Sequence, residues 1–197
     1  MEMKSNIKKI RTVVNIFVLF FLISNLSVAQ QFNLNNQESI LTVYGTSSLH
    51  DWHIVTENQN GKIVFKDINT SDIEKLNISV KTESLKSGKN SMDKNTYKAL
   101  KTDDYETITF QLVKIDNVTK KSESKFAIKA TGDLTITGVK KRISLNFDID
   151  ISTAKSITLS GEKTIKMTDF NVDPPKALFG TITTGDEITI KFKSIFK

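Results

Sequence analysis

From Ser39 onward the chain alternates apolar and polar residues with a period of two. The cleanest run is Ile143, Leu145, Phe147, Ile149 and Ile151, interleaved with Ser144, Asn146, Asp148, Asp150 and Ser152. A helical period would carry those polar side chains into a core, so the spacing predicts a long strand buried on one face. The same alternation marks residues 40–44 and 52–55, Ile63 with Phe65, and Leu76 with Ile78 and Val80. It returns at Ile108, Phe110 and Leu112, at Phe126, Ile128 and Ala130, at Ile157 and Leu159, and at Ile188, Ile190 and Phe192. About eight or nine evenly spaced strands predict an antiparallel meander that closes as a barrel or folds as a sandwich. Asn60-Gly61 and Gly185-Asp186 read as turns, and residues 30–37 as a loose lead-in.

One segment changes period. Residues 91–101 place Met92, Thr96, Ala99 and Leu100 on one helical stripe, with Asp93 in the first turn and Lys98 and Lys101 in the last. A lone amphipathic helix in an all-β chain must lay its stripe on something. A lid over a barrel mouth and a crossover packed on the outside both satisfy the spacing. About eight strands enclose a space that side chains fill or that holds one small ligand. Phe110, Leu112, Leu145, Phe147 and Phe192 are the residues expected to point inward.

Composition bears on compartment and partners. Lys4, Lys8, Lys9 and Arg11 precede an apolar run over residues 12–23, and Ser27-Val28-Ala29 follows as a small-residue cleavage site. That order predicts an export signal over residues 1–29, a mature domain over 30–197 and a periplasmic or secreted location. The run is shorter than the roughly 20 residues of a membrane-spanning helix, so no integral span is expected after cleavage. Removing the signal lowers the net charge from +6 to +3. The remaining lysines are scattered along the strands, which gives no support to nucleic-acid binding. The absence of cysteine rules out thiol catalysis, thiolate metal sites and a lipidated cysteine anchor. A homodimer is compatible with the sequence.

Candidate chemistry is sparse. His50 and His53 flank Asp51-Trp52, but positions i and i+3 of a strand face opposite ways, so local hydrogen bonding, with Asp51 orienting an imidazole, is expected rather than a metal site. No G-x-S-x-G turn, phosphate loop or dinucleotide fingerprint is present, and Asp103-Asp104 reads as a solvated loop pair. No catalytic residue, metal or cofactor is expected, and the chain reads as a non-enzyme. Trp52, the single tryptophan, is either a partly buried ring with its N–H paired or a stacking surface for a ligand.

Four stretches, in order, carry a resemblance. They are Gly45-Thr46-Ser47-Ser48-Leu49-His50-Asp51-Trp52; Met92-Asp93 with Ala99-Leu100-Lys101 and Tyr105-Glu106-Thr107-Ile108-Thr109-Phe110; Gly132-Asp133-Leu134-Thr135-Ile136-Thr137-Gly138-Val139-Lys140; and Met167-Thr168-Asp169-Phe170 through Asp173-Pro174-Pro175 to Gly180 and Gly185-Asp186-Glu187. Together they resemble the YceI-like family of lipid- and polyisoprenoid-binding proteins. Where many members have a histidine followed by small apolar residues and glycine, this chain has His50-Asp51-Trp52. The resemblance implies a lipocalin-like antiparallel β-barrel with one short α-helix near its opening, exported, and holding an isoprenoid or other lipid-like molecule. Trp52, Leu100, Phe110, Leu112, Leu145, Phe147 and Phe192 are then the expected ligand contacts. The alternative is a filled barrel that binds a protein or polysaccharide through its loops and Trp52.

Overall fold

The computed structural model describes residues 30–197 apart from Glu57, Ala154 and Lys155, so the expected export signal lies outside the described residues. The alternating segments form strands: β1 (Gln30–Asn33), β2 (Ile40–Ser47), β3 (Trp52–Thr56), β4 (Gln59–Asp67) and β5 (Asp72–Lys81) precede the helix α1 (Asn90–Leu100). After it come β6 (Thr107–Lys120), β7 (Lys125–Ile136), β8 (Val139–Thr153), β9 (Ser156–Lys166), the two-residue β10 (Lys176–Ala177) and β11 (Ile182–Phe196). They hydrogen-bond in the order β1-β4-β5-β6-β7-β8-β9-β11-β2-β3, every pair antiparallel, with β10 added beside β11.

That order curls the sheet. β3 and β4 stand near opposite ends of the path, yet only two residues of chain separate them. The ends are drawn together elsewhere too: Leu34, just past β1, forms a bridge with Phe196, and Val55 of β3 forms one with Lys86. The outcome is an antiparallel barrel whose inward positions are the apolar half of each alternation. β7 shows the rule clearly, burying Phe126, Ile128, Ala130, Leu134 and Ile136 and exposing Lys125 and Lys129.

Three local expectations are corrected. The lead-in contains β1, because Phe32 packs edge-on against Phe65 with ring centres 6.2 Å apart and so pins Gln30–Asn33 to β4. With β1, the path has ten strands rather than about eight. Asn60-Gly61 is no turn: it lies within β4, where Gly61 faces Ile78 and a Cβ would press on the Asn77 carbonyl at 2.9 Å. Gly185-Asp186 is a bulge inside β11, where the register shifts between Thr184 and Ile188. The Asp186 carboxylate there accepts from the Thr168 amide at 2.9 Å and hydroxyl at 2.7 Å, bonds that hold it below its usual acidity range. True two-residue turn chemistry occurs at Thr137-Gly138, both with positive φ, between β7 and β8.

The interior divides into two apolar clusters. One is solid: Ile63, Phe65, Leu76, Phe126, Phe147, Ile149, Ile157 and Phe196 meet in the half nearer the β1–β11 bridge. The other lies toward α1, where Leu134, Ile136, Ile165, Met167, Phe170 and Val172 gather with Leu100 and Ala99 against them. A turn of 3-10 helix at Thr168–Phe170 joins this second cluster to the β7–β8 turn, since the Thr137 hydroxyl donates to the Phe170 carbonyl.

Candidate functional site

Between the two clusters and the helix lies a cavity of about 380 Å³. Its floor is the top of the solid half, with Leu76, Leu145, Phe147 and Leu159 facing into it. Its walls come from cross-strand rows. Gly61, Ile78, Phe110 and Leu134 form one across β4 to β7, and Lys163, Ile190, Val43 and Ile54 form another across β9, β11, β2 and β3. Three elements frame the opening: α1, the β2–β3 loop with Leu49 and His50, and the strap from Pro175 to Ile182.

The helix is held over the opening by contacts along one flank of its apolar stripe. Asp93 is buried and accepts from the Ser87 amide at 2.7 Å and hydroxyl at 2.6 Å. Burial pushes the Asp93 carboxyl up, but these two bonds and the nearby Lys86 outweigh it, and its pKa is lowered. Tyr97 donates to the carbonyls of Glu83 (2.8 Å) and Leu85 (3.1 Å) and lies under the Lys86 ammonium, 4.9 Å from the ring centre. With that flank tied down, the stripe of Met92, Thr96, Ala99 and Leu100 is left to face the cavity, and all four line it. The crossover geometry, with the stripe packed on the barrel exterior, is therefore not the one adopted.

Aromatic rings and glycines together shape the hollow. Gly45, Gly132 and Gly161 occupy inward positions of β2, β7 and β9, and a Cβ on each would collide with a ring: Trp52, Phe110 and Phe192 respectively. Each ring lies flat along the wall over a neighbouring strand's glycine instead of projecting across the interior. Trp52 is fixed further, its indole N–H donating to the Thr46 carbonyl at 2.9 Å.

Of the residues expected to contact a ligand, the structure brings Trp52, Leu100, Phe110, Leu145, Phe147 and Phe192 onto this one cavity. Leu112 is not among its walls. It sits one row farther from the helix, opposite Gly132, over which the Phe110 ring already lies, and it packs half-buried on the solid cluster. The histidines diverge, His50 in the β2–β3 loop and His53 on β3. His50 lies at the opening, its Nδ1 2.7 Å from the Asp51 backbone carbonyl rather than from the carboxylate, so Asp51 engages that imidazole through its main chain. His53 is exposed beside Tyr44. Among the described residues no three of His, Cys, Asp and Glu gather as a metal site, and no helix is long and apolar enough to cross a membrane.

Among the polar residues of the walls, two stand out that the hydrophobic pattern does not mark. Gln59 and Lys163 both line the cavity. Each shares the parity of inward neighbours, Gln59 with Gly61, Ile63 and Phe65, and Lys163 with Ile157, Leu159 and Ile165. The period-two signal was present, and polarity alone masked it. Lys89 and Lys176 lie farther out, and the lining includes no carboxylate.

The family model described as YceI-like domain matches residues 32–196. No curated protein matches the chain significantly. Among solved structures, a polyisoprenoid binding domain from Saccharophagus degradans superposes with a TM-score of 0.67 at 12% identity, covering 84% of this chain and 97% of its own. Burkholderia cenocepacia BcnA gives 0.66 at 16%, covering 82% and 98%. The Campylobacter jejuni YCEI protein gives 0.55 at 24%, covering 71% and 81%. At these identities the likeness is one of fold.

Proposed function

The chain belongs to the YceI-like family, and from that premise we propose that it is an exported carrier whose barrel holds an apolar chain, isoprenoid or lipid-like. The observation that carries this reading is the cavity of about 380 Å³ beneath α1, walled by aliphatic side chains and by rings laid flat against glycines. A barrel evolved only to be stable would fill that space, because an unfilled apolar volume forfeits dispersion contacts. The name of the Saccharophagus domain supports the same class of ligand. The charged, apolar and small-residue order of residues 1–29 supports export to the periplasm or beyond. A loop-binding module on a filled barrel is disfavoured, since its premise was a solid interior.

Binding of this kind draws on burial at about 0.8 kcal/mol per methylene, less the cost of association and of ordering the chain. The test is calorimetric titration of the delipidated full chain with a C20 prenyl alcohol at low and high salt. We expect saturable binding, a negative heat-capacity change and little salt dependence. Absence of saturable binding, or its loss at moderate salt, would remove the carrier reading.

A further inference from the structure

Within the apolar wall one side chain has no partner. Gln59 opens β4 at 1% exposure, and neither its Nε2 nor its Oε1 has a hydrogen-bond partner among the described residues. Its backbone is accounted for, the amide donating to Asn36 Oδ1 at 2.7 Å. Its position is not peripheral. It stands opposite Val80, which in turn stands opposite Ile108, so it belongs to the cross-strand row next above Gly61, Ile78 and Phe110. All of Gln59, Val80 and Ile108 line the cavity.

An amide buried without partners is costly on both its donor and its acceptor side. A methionine or leucine would occupy the same volume without that penalty. The Thr56 hydroxyl, three residues before it, is already engaged with the Ser84 hydroxyl and the Asn58 amide. The only other buried side-chain polar atom left unpaired among the described residues, the Ser71 hydroxyl, lies in the β4–β5 turn beside the solid half and does not line the cavity.

We propose that Gln59 is a specificity-determining residue that receives a neutral head group of the bound chain, one that both donates and accepts a hydrogen bond, with a hydroxyl as the simplest case. The inference rests on the carrier reading above. A hydroxyl completes both halves of the amide at once, donating to Oε1 while accepting from Nε2. A bare hydrocarbon leaves both unmade. A charged head would exchange its hydration for one amide donor, which is unfavourable at a fully buried position.

Trp52, the chain's single tryptophan, lines the cavity and serves as the reporter. The delipidated full chain and Gln59→Met are titrated with cis-9-octadecen-1-ol, its methyl ether and cis-9-octadecene. The native chain is expected to bind the alcohol at least about tenfold more tightly than the hydrocarbon, with the ether between them. Gln59→Met is expected to bring the alcohol down to the hydrocarbon's affinity and leave the hydrocarbon unchanged or tighter. Equal affinity of the native chain for alcohol and hydrocarbon overturns the assignment while leaving the carrier reading intact. So does a variant that keeps the preference or weakens both ligands alike. If none of the three saturates, the carrier reading fails and this one with it. Should Gln59→Met not fold, the alcohol–ether–hydrocarbon series on the native chain decides alone.

Discussion

In the half of the barrel near the β1–β11 bridge, Phe65, Phe126, Phe147 and Phe196 meet Ile149 and Ile157 in a solid core. In the half under α1, Trp52, Phe110 and Phe192 lie against the wall over Gly45, Gly132 and Gly161, and the middle is open. Both halves contain large aromatic rings on inward strand positions. What differs in the hollow half is that each ring lies over a glycine, directly opposite for Trp52 and Phe192 and on the diagonal for Phe110. Phe126 stands opposite Ile149, and two full-sized side chains must then fill the interior. Trp52 stands opposite Gly45, and the ring takes the vacant Cβ volume, so it contributes apolar surface without blocking the cavity. Three glycines thus let the rings of the hollow half lie against its wall, the third of them, Gly161, being shared with Phe147 on the cavity floor.

The severest way to break the contrast is to spoil the solid half. Phe147 is 4% exposed and forms part of both the core and the cavity floor. Phe147→Asp buries an unpaired carboxylate and is expected to cost several kcal/mol, roughly 3–5, in a denaturant melt. A loss under about 1 kcal/mol would mean the solid half is not what holds the fold. Next is the glycine rule itself. Gly132→Ala forces the Phe110 ring off the wall, with the Gln111 carbonyl 3.0 Å away on the other side. The expected outcome is a loss of about 1–3 kcal/mol together with weaker binding of a prenyl alcohol, as the displaced ring enters the cavity. Retained affinity with lowered stability would show that the glycine serves packing alone.

Much of this was legible in the alternation. The nine strands read from it are all present, the helix is shifted by one residue, and four of the five residues expected to point inward meet on one cavity, Leu112 being the exception. The misreadings have physical causes. At Gly61 and Gly185 glycine adjoins a turn-forming residue, yet the first answers a close approach of β5 and the second sits at a bulge. β1 has a single inward aromatic, Phe32, too little to declare a strand without its partner Phe65. The division into solid and hollow halves depends on which residues face each other across strands, and that register is invisible until the sheet is assembled.

The cover over the hollow half gives a finer test. Leu100 lines the cavity and packs against the Leu134–Met167 cluster, while Asp93 and Tyr97 hold the helix along the flank beside it through bonds to Ser87, Glu83 and Leu85. Charging Leu100 attacks the ligand's cover without touching those anchors. Leu100→Glu is expected to speed release of a prenyl alcohol by about tenfold in stopped-flow fluorescence, equivalent to about 1.4 kcal/mol of bound-state stabilisation. The melting midpoint should move far less than in Phe147→Asp. An unchanged release rate in a folded variant would reduce α1 to a passive connector.

The smallest effect is expected at Lys163, and it separates two readings of the hollow half. Lys163 faces inward between Gly161 and Ile165, opposite Ile190, and no carboxylate lines the cavity beside it. Taken alone, that ammonium would suggest an anionic head group. Yet it is only half-buried, whereas Gln59 is sealed in. A lysine so placed lays its methylenes along apolar surface and keeps its ammonium in water at the opening. An uncharged chain held by burial then gains nothing from the charge. Lys163→Met is expected to change affinity for a prenyl alcohol by less than about threefold at either low or high salt, since at about 0.15 M the field of an exposed charge is screened within roughly 8 Å. A selective loss for a prenyl phosphate, with the alcohol unaffected, would mean that the opening also accepts anions. A large loss for the alcohol itself would mean that the ammonium, and not the apolar wall, sets affinity in the hollow half.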